Sequence, residues 1–337
     1  MMKELSCKTP GEFEYKDTQK PILSQGNAII KIKRIGICGT DLHAFEGTQP
    51  YFSYPRTLGH ELAGEVFEIE SNSEFQIGDL VTIMPYFSCG TCVACRKGKT
   101  NCCQKISVFG VHEDGGMREY VSVPISTLIK REGLQLDQLA MAEPFAIGAH
   151  GVRRAGVKPG DRVLVIGAGP IGLGVMEFAK IAGGEVIALD INEQRLDFCK
   201  NILNIAHTLK ASEQTKREIE ELTNGDFCDV VIDATGNSTA IHQGFQYMAH
   251  GGTYVLVGLQ KGEIAFFHPD FHKRESTLMS SRNATKADFE QVLEALASGN
   301  INVKNYITHR VNFEGVKSNF ESWLDPKTGV IKAMVAI

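Results

Sequence analysis

Four cysteines fall within fifteen residues: Cys89, Cys92 and Cys95 at intervals of three, and Cys103 after seven more residues. Two residues between thiols let one short turn aim both at the same ion. Four thiolates then close a tetrahedral shell and leave no vertex for water, which is the chemistry of a structural zinc site. Cys102 competes with Cys103 for the fourth place; we take Cys103 and read Cys102 as a bystander. Gly90, Lys97, Gly98 and Lys99 suit an exposed lobe, placed at residues 86–105. The chain has nine cysteines, and an odd number argues against a pure disulfide framework. Cys7, Cys199 and Cys228 lie in strand- or helix-like patterns and are expected in the core.

A second set of residues suits a nucleotide. The apolar run Arg162–Ile166 leads into Gly167-Ala168-Gly169-Pro170-Ile171-Gly172, a G-x-G-x-x-G between a strand and a helix. Gly167 would allow the tight turn, Gly169 the approach of a pyrophosphate, and Gly172 the close packing of helix on strand. The helix start offers N–H groups to phosphates. Asp190 ends the next strand, about 20 residues on, where an acid holds the ribose hydroxyls of adenosine. A carboxylate there repels a 2′-phosphate, so NAD is expected over NADP. Arg195 could soften that preference, although a solvated helix residue is its ordinary reading.

Three further segments carry potential ligands. Cys38 stands in Gly36-Ile-Cys-Gly-Thr-Asp-Leu-His43, His60 and Glu61 in Leu58-Gly-His-Glu-Leu-Ala-Gly64, and Glu143 in Ala142-Glu-Pro-Phe145. Spacing alone does not join them, and each taken singly is more often structural. With the glycine fingerprint and the cysteine loop, however, they occur in the order found in the zinc-containing medium-chain dehydrogenase/reductase family. The chain resembles that family over essentially its whole length, in its sorbitol and threonine dehydrogenase branch. The resemblance implies a catalytic zinc held by Cys38, His60 and Glu143, with Glu61 a direct ligand or a close neighbour. Glu143 stands where liver-type alcohol dehydrogenases have a cysteine, which favours the polyol branch. A site of three protein ligands keeps one position open, and a hydroxyl bound to zinc becomes acidic enough to prepare hydride transfer to NAD. The family further implies a proton relay from Thr40 to His43, because histidine exchanges protons near neutral pH. Asp41 either orients a ligand or caps its loop.

The stretches Gly110–Gly116, Phe271–Glu275 and Ser281–Thr285 are similar to those of bacterial sugar-acid dehydrogenases acting on L-galactonate or L-gulonate. They imply oxidation of the C5 hydroxyl to a keto-uronate. Arg282 would pair with the substrate carboxylate in a bidentate fashion, with Asn283 shaping the pocket wall and His112 a weaker contact. A neutral polyol is the alternative substrate. Outside the enzyme class, the alternative is an NAD-binding sensor without catalysis, which would have no need of Cys38, His60 and Glu143.

The elements that must hold these groups form two domains, as 337 residues would suggest. Residues 1–147 contain short β-branched runs: Ala28–Ile35, Glu65–Glu70 and Leu80–Met84. From Pro144 onward, strands Arg162–Ile166, Glu185–Leu189, Asp229–Asp233 and Thr253–Val257 alternate with helices such as Ile171–Ala182 and Gln194–Asn201, the pattern of a parallel sheet. The fold class is α/β. The family resemblance supplies the details: a GroES-like, partly open β-barrel over 1–147 and 286–337, and a doubly wound Rossmann domain over 148–285.

With 35 basic and 40 acidic residues the net charge is −5, which disfavours nucleic acid as a partner. The stretch Val163–Ala179 contains four glycines and a proline and does not suit a membrane span. No apolar leader follows Met1, so a cytoplasmic protein is expected. The cofactors expected are two zinc ions per chain and NAD. The expected partner is a small sugar acid or polyol. The branch implies a homodimer or homotetramer with the nucleotide-domain sheet extended across the two-fold axis; Ile264–Phe267 reads equally well as an apolar edge segment there or as ordinary core.

Overall fold

Buried isoleucines along Asn27–Gly36 explain the first sheet. Ile30, Ile32 and Ile35 face the interior with Leu62, Val66, Val81, Ile83, Val121 and Val123 from its neighbours, and side chains two apart on a strand share a face. In the computed structural model, which describes residues 1–49, 52–70 and 74–337, this strand is the centre of a seven-stranded sheet. The sheet order is Leu128–Ile129, Leu80–Ile83, Glu61–Ile69, Asn27–Gly36, Lys332–Ala336, Ile307–Asn312, with Tyr120–Pro124 also on Asn27–Gly36. A three-stranded sheet of Glu12–Thr18, Met2–Thr9 and Arg56–Thr57 adds to the same unit. The pairing of Asn27–Gly36 with Glu61–Ile69 is antiparallel with register shifts at Ile29/Ile30 and Ile32/Arg34. Such bulges bend and twist a strand, as closing a partly open barrel requires. This is the GroES-like architecture expected from the sequence.

The chain divides into Met1–Pro144 with Ala284–Ile337, and Phe145–Asn283. The second unit is a six-stranded parallel sheet in the order His207–Lys210, Glu185–Asp190, Arg162–Ile166, Cys228–Asp233, Met248–Leu256, Thr277–Ser280. Counted within the unit, the order is 3-2-1-4-5-6, the doubly wound Rossmann arrangement. Its first strand and helix occupy Arg162–Ile166 and Pro170–Ile181. Ile264–Phe267 forms no strand; the sheet edge is Thr277–Ser280, and Phe266 instead stacks on Phe245 with ring centroids 5.1 Å apart. Among the described residues no helix is long and apolar enough to cross a membrane.

Gly172 shows why the glycine fingerprint is obligatory here. A Cβ on it would lie 1.7 Å from the Gly167 carbonyl oxygen, a backbone atom that cannot step aside. Gly172→Ala should therefore destabilise the protein by about 1–3 kcal/mol. The check is the midpoint of chemical unfolding, which should fall; an unchanged midpoint would show that helix and turn separate without cost.

Candidate metal centre and nucleotide site

Strand ends and short turns of the barrel unit deliver the reactive side chains. Asn27–Gly36 runs out at Gly36, opposite Glu61 in the register. Gly36 must lack a side chain, because a Cβ there would stand 2.1 Å from Glu61 Oε2. Two residues on, Cys38 is the N-cap of the helix Gly39–Phe45. Asp41 closes a capping box: its Oδ2 accepts from the Cys38 N–H at 2.9 Å, while its Oδ1 accepts from the Gly59 N–H at 3.2 Å. One buried carboxylate thus ties together the two segments that carry Cys38 and His60. The loop Gly110–Gly116 braces the second segment from outside, with Gly115 N–H donating to Thr57 O at 2.7 Å and Gly116 N–H to Gly59 O at 2.8 Å.

The ligand atoms of Cys38, His60 and Glu61 all lie within 4.8 Å of one another. Glu143 is not in this group; its Oε1 accepts a hydrogen bond from the buried Tyr86 hydroxyl. Glu61 is bound on both oxygens by Lys332 Nζ, at 2.6 and 2.7 Å, and the same ammonium donates to Ile37 O at 3.1 Å. Burial opposes the charge on Lys332, but Glu61 and Cys38 outweigh it and raise its pKa. Burial also opposes charge on His60, yet Asp41 and Cys38 hold its pKa well above the ordinary value. Asp41 and Glu143 are both pushed up by burial.

These residues fit a divalent ion. Thiolate, imidazole and carboxylate are the donors zinc takes. Nδ1 of His60 is buried without a hydrogen-bond partner and faces Asp41 Oδ1 at 3.6 Å, longer than a hydrogen bond. With a carboxylate facing one nitrogen, the other is the one left for a metal. Three buried acids share the site with Lys332 and His60.

Two partners here escaped the sequence reading. Lys332 had one detectable signal, a lone charge in the apolar run Val330–Ile337. Tyr86 had none. Of the residues expected in the relay, Thr40 is half-buried in the first helical turn. His43 is exposed and pairs through Nδ1 with Glu46 Oε2 at 3.2 Å.

In the lobe, Cys89, Cys92, Cys95 and Cys103 also lie within 4.8 Å of one another, while Cys102 is exposed and outside the group. Hydrogen bonds from the Thr91 side chain and backbone N–H groups pull the Cys89 thiol down to about 5. Desolvation, then the neighbouring thiols, raise Cys95 to about 11. Backbone N–H groups of Cys89 and Lys105 reach Cys103 Sγ at 3.3 Å. Such donors stabilise thiolates, the form that binds metal. The remaining cysteines, Cys7, Cys199 and Cys228, are buried, and desolvation pushes them to about 11, 12 and 12.

In the second unit Gly167 takes φ +99° and leads to Gly169, the N-cap of Pro170–Ile181, followed by Pro170 and Ile171 in the first turn. A Cβ on Gly169 would meet only Arg195 Nη1, at 3.9 Å, so the turn has room for phosphates. Arg195 is therefore half-buried beside the turn rather than out in solvent. Asp190 accepts from Ala168 N–H at 2.6 Å and Asn192 N–H at 2.8 Å, which fixes its carboxylate at the strand end. Arg282 is exposed and Asn283 takes φ +54°, both in this unit. His112, in the barrel unit, accepts the Val108 N–H on Nδ1 at 2.9 Å, so its proton sits on Nε2.

Residues 24–133 match the alcohol dehydrogenase GroES-like domain, and residues 170–298 match the zinc-binding dehydrogenase domain. L-galactonate-5-dehydrogenase of Escherichia coli (strain K12) is 43% identical over 335 residues, covering 99% of this chain and 98% of the relative. The chain belongs to the zinc-type alcohol dehydrogenase family. A probable D-xylulose reductase A of Emericella nidulans is 35% identical over 336 residues, covering 96% of this chain and 93% of that one. Among solved structures, an alcohol dehydrogenase from Escherichia coli CFT073 complexed with NADH superposes with a TM-score of 0.93 at 28% identity, covering 100% of this chain and 99% of the other. This protein is accordingly an enzyme of the zinc-dependent alcohol and polyol dehydrogenase type.

Cys103→Ser should lose one zinc of about two per chain, with a lower thermal midpoint, whereas Cys102→Ser should keep both. Elemental analysis after dialysis checks this; equal zinc loss in the two variants would contradict the four-thiol grouping.

Proposed function

We propose that this dehydrogenase oxidises the C5 hydroxyl of a six-carbon aldonate, L-galactonate or L-gulonate, to the keto-uronate and delivers the hydride to NAD. The observation that carries this reading is the 43% identity to an L-galactonate-5-dehydrogenase sustained along 335 residues. Cys38, His60 and Glu61 would hold the catalytic zinc. When bound, zinc supplies the positive charge that makes a neighbouring hydroxyl acidic, and NAD supplies the hydride acceptor.

The chain's own residues do the rest. Asp41 orients the His60 ring and fixes its tautomer. Lys332 holds both oxygens of Glu61 and so sets the direction of its remaining lone pairs. Thr40 and His43 are three residues apart on one short helix, a spacing that puts them on one face. We assign them the transfer of the hydroxyl proton outward, with Glu46 steadying the exposed imidazole. Gly169 admits the pyrophosphate, and Asp190 accepts the ribose hydroxyls and repels a 2′-phosphate. Arg282 pairs with the aldonate carboxylate, for which a guanidinium is well shaped.

A neutral polyol is the second reading, favoured by the 35% identity to a D-xylulose reductase. Arg282→Ala separates the two. If the substrate is an aldonate, its KM should rise about tenfold to a hundredfold, the worth of a hydrogen bond to a charged group, and turnover of a polyol should hardly change. A KM for L-galactonate and L-gulonate that stays put, with faster turnover of polyols, would favour the polyol.

Cys38→Ser should abolish NADH formation and leave about one zinc per chain, with an unaltered circular dichroism spectrum. Full turnover in that variant would refute the assignment of the centre.

A further inference from the structure

The barrel unit offers a metal two carboxylates, not one. Glu61 and Glu143 are both buried, and each interacts electrostatically with His60 or its neighbours. An ion near Cys38 and His60 would attract either. Each acid, however, has its own partner. Lys332 binds both oxygens of Glu61, and Tyr86 donates its hydroxyl to Oε1 of Glu143.

Tyr86 is well placed for a fixed role. It lies on the short strand Tyr86–Phe87, which pairs antiparallel with Ser107–Val108. Its ring meets Phe289 edge-on with centroids 6.3 Å apart. It is 4% exposed. Burial, and then Glu143, raise the phenol well above its usual range, so the hydroxyl stays a donor. A buried donor without an acceptor is costly, and Glu143 is the acceptor it has. The same bond fixes the Glu143 carboxylate on Tyr86, and Glu143 is not in the group formed by Cys38, His60 and Glu61.

We propose that Tyr86 is a positioning residue that holds Glu143 out of the metal's ligand set, so that Glu61 serves as the third ligand and the fourth vertex stays open for a substrate hydroxyl. The proposal rests on the zinc site described above and adds what chooses between its two acids. Tyr86 touches neither metal nor substrate. It acts through Glu143.

The test uses the full-length enzyme with cobalt(II) in place of the catalytic zinc, and compares the parent protein, Tyr86→Phe, and Tyr86→Phe combined with Glu143→Gln. In Tyr86→Phe the freed carboxylate should enter the cobalt shell. The visible ligand-field bands should weaken and shift as coordination rises, and release of cobalt to a chelator should slow. The kcat should fall about 10–100-fold, the usual effect of losing a partner that orients a ligand, while the KM for NAD stays the same. The double variant should recover the parent spectrum and release rate, because the intruding carboxylate is gone. A merely structural tyrosine would not produce that recovery. If Tyr86→Phe keeps the parent spectrum and release rate, the proposal is overturned while the metal site stands. If the parent protein shows no cobalt–thiolate absorption that Cys38→Ser removes, the metal site and the proposal fall together.

Discussion

The arrangement of the barrel unit turns on how charge is compensated away from water. Asp41 and Glu61 are fully buried and Glu143 is 4% exposed, beside Cys38 and His60, and the ammonium among them is Lys332. Taking ions out of water is expensive unless partners and hydrogen bonds offset the cost. Each acid here has such partners: two backbone N–H groups for Asp41, Lys332 for Glu61, Tyr86 for Glu143. Lys332 and His60 both carry raised pKa values beside these acids, and the donors they leave facing one another, Cys38, His60 and Glu61, are ones a divalent cation takes.

The fold sets these groups in place with local devices at chain reversals. Gly36 clears the space that Glu61 occupies, a bulge before it twists the strand, and Asp41 caps one turn while fastening the next. Lys332 arrives from the other end of the chain on a strand that pairs with Asn27–Gly36. Disturbing one of these contacts should disturb metal binding and the packing of the barrel together.

Much of this was legible in the sequence. The cysteine loop is a local pattern; its spacing named three members and left Cys102 and Cys103 to compete for the fourth place, where the structure groups Cys103. The strand, glycine turn, helix and acid of the nucleotide site are also contiguous, and they appear in the structure within a residue or two of their expected bounds. The choice between Glu61 and Glu143 was not legible. The bonds that distinguish the two acids come from Lys332, 271 residues from Glu61, and from Tyr86, 57 residues from Glu143. No periodicity or motif records contacts at such separations. Ile264–Phe267 was open for a related reason, since an apolar run does not say whether it will lie at an edge or pack inward as Phe266 does on Phe245.

The central claim is that a metal sits among Cys38, His60 and Glu61 with room for a further ligand. Anomalous X-ray scattering at the zinc edge, from crystals of the zinc-replete protein, tests it most directly. The account predicts one peak within the cysteine lobe and a second bounded by those three side chains, with Glu143 still on Tyr86. A peak in the lobe alone, or a second one held by other residues, would contradict it.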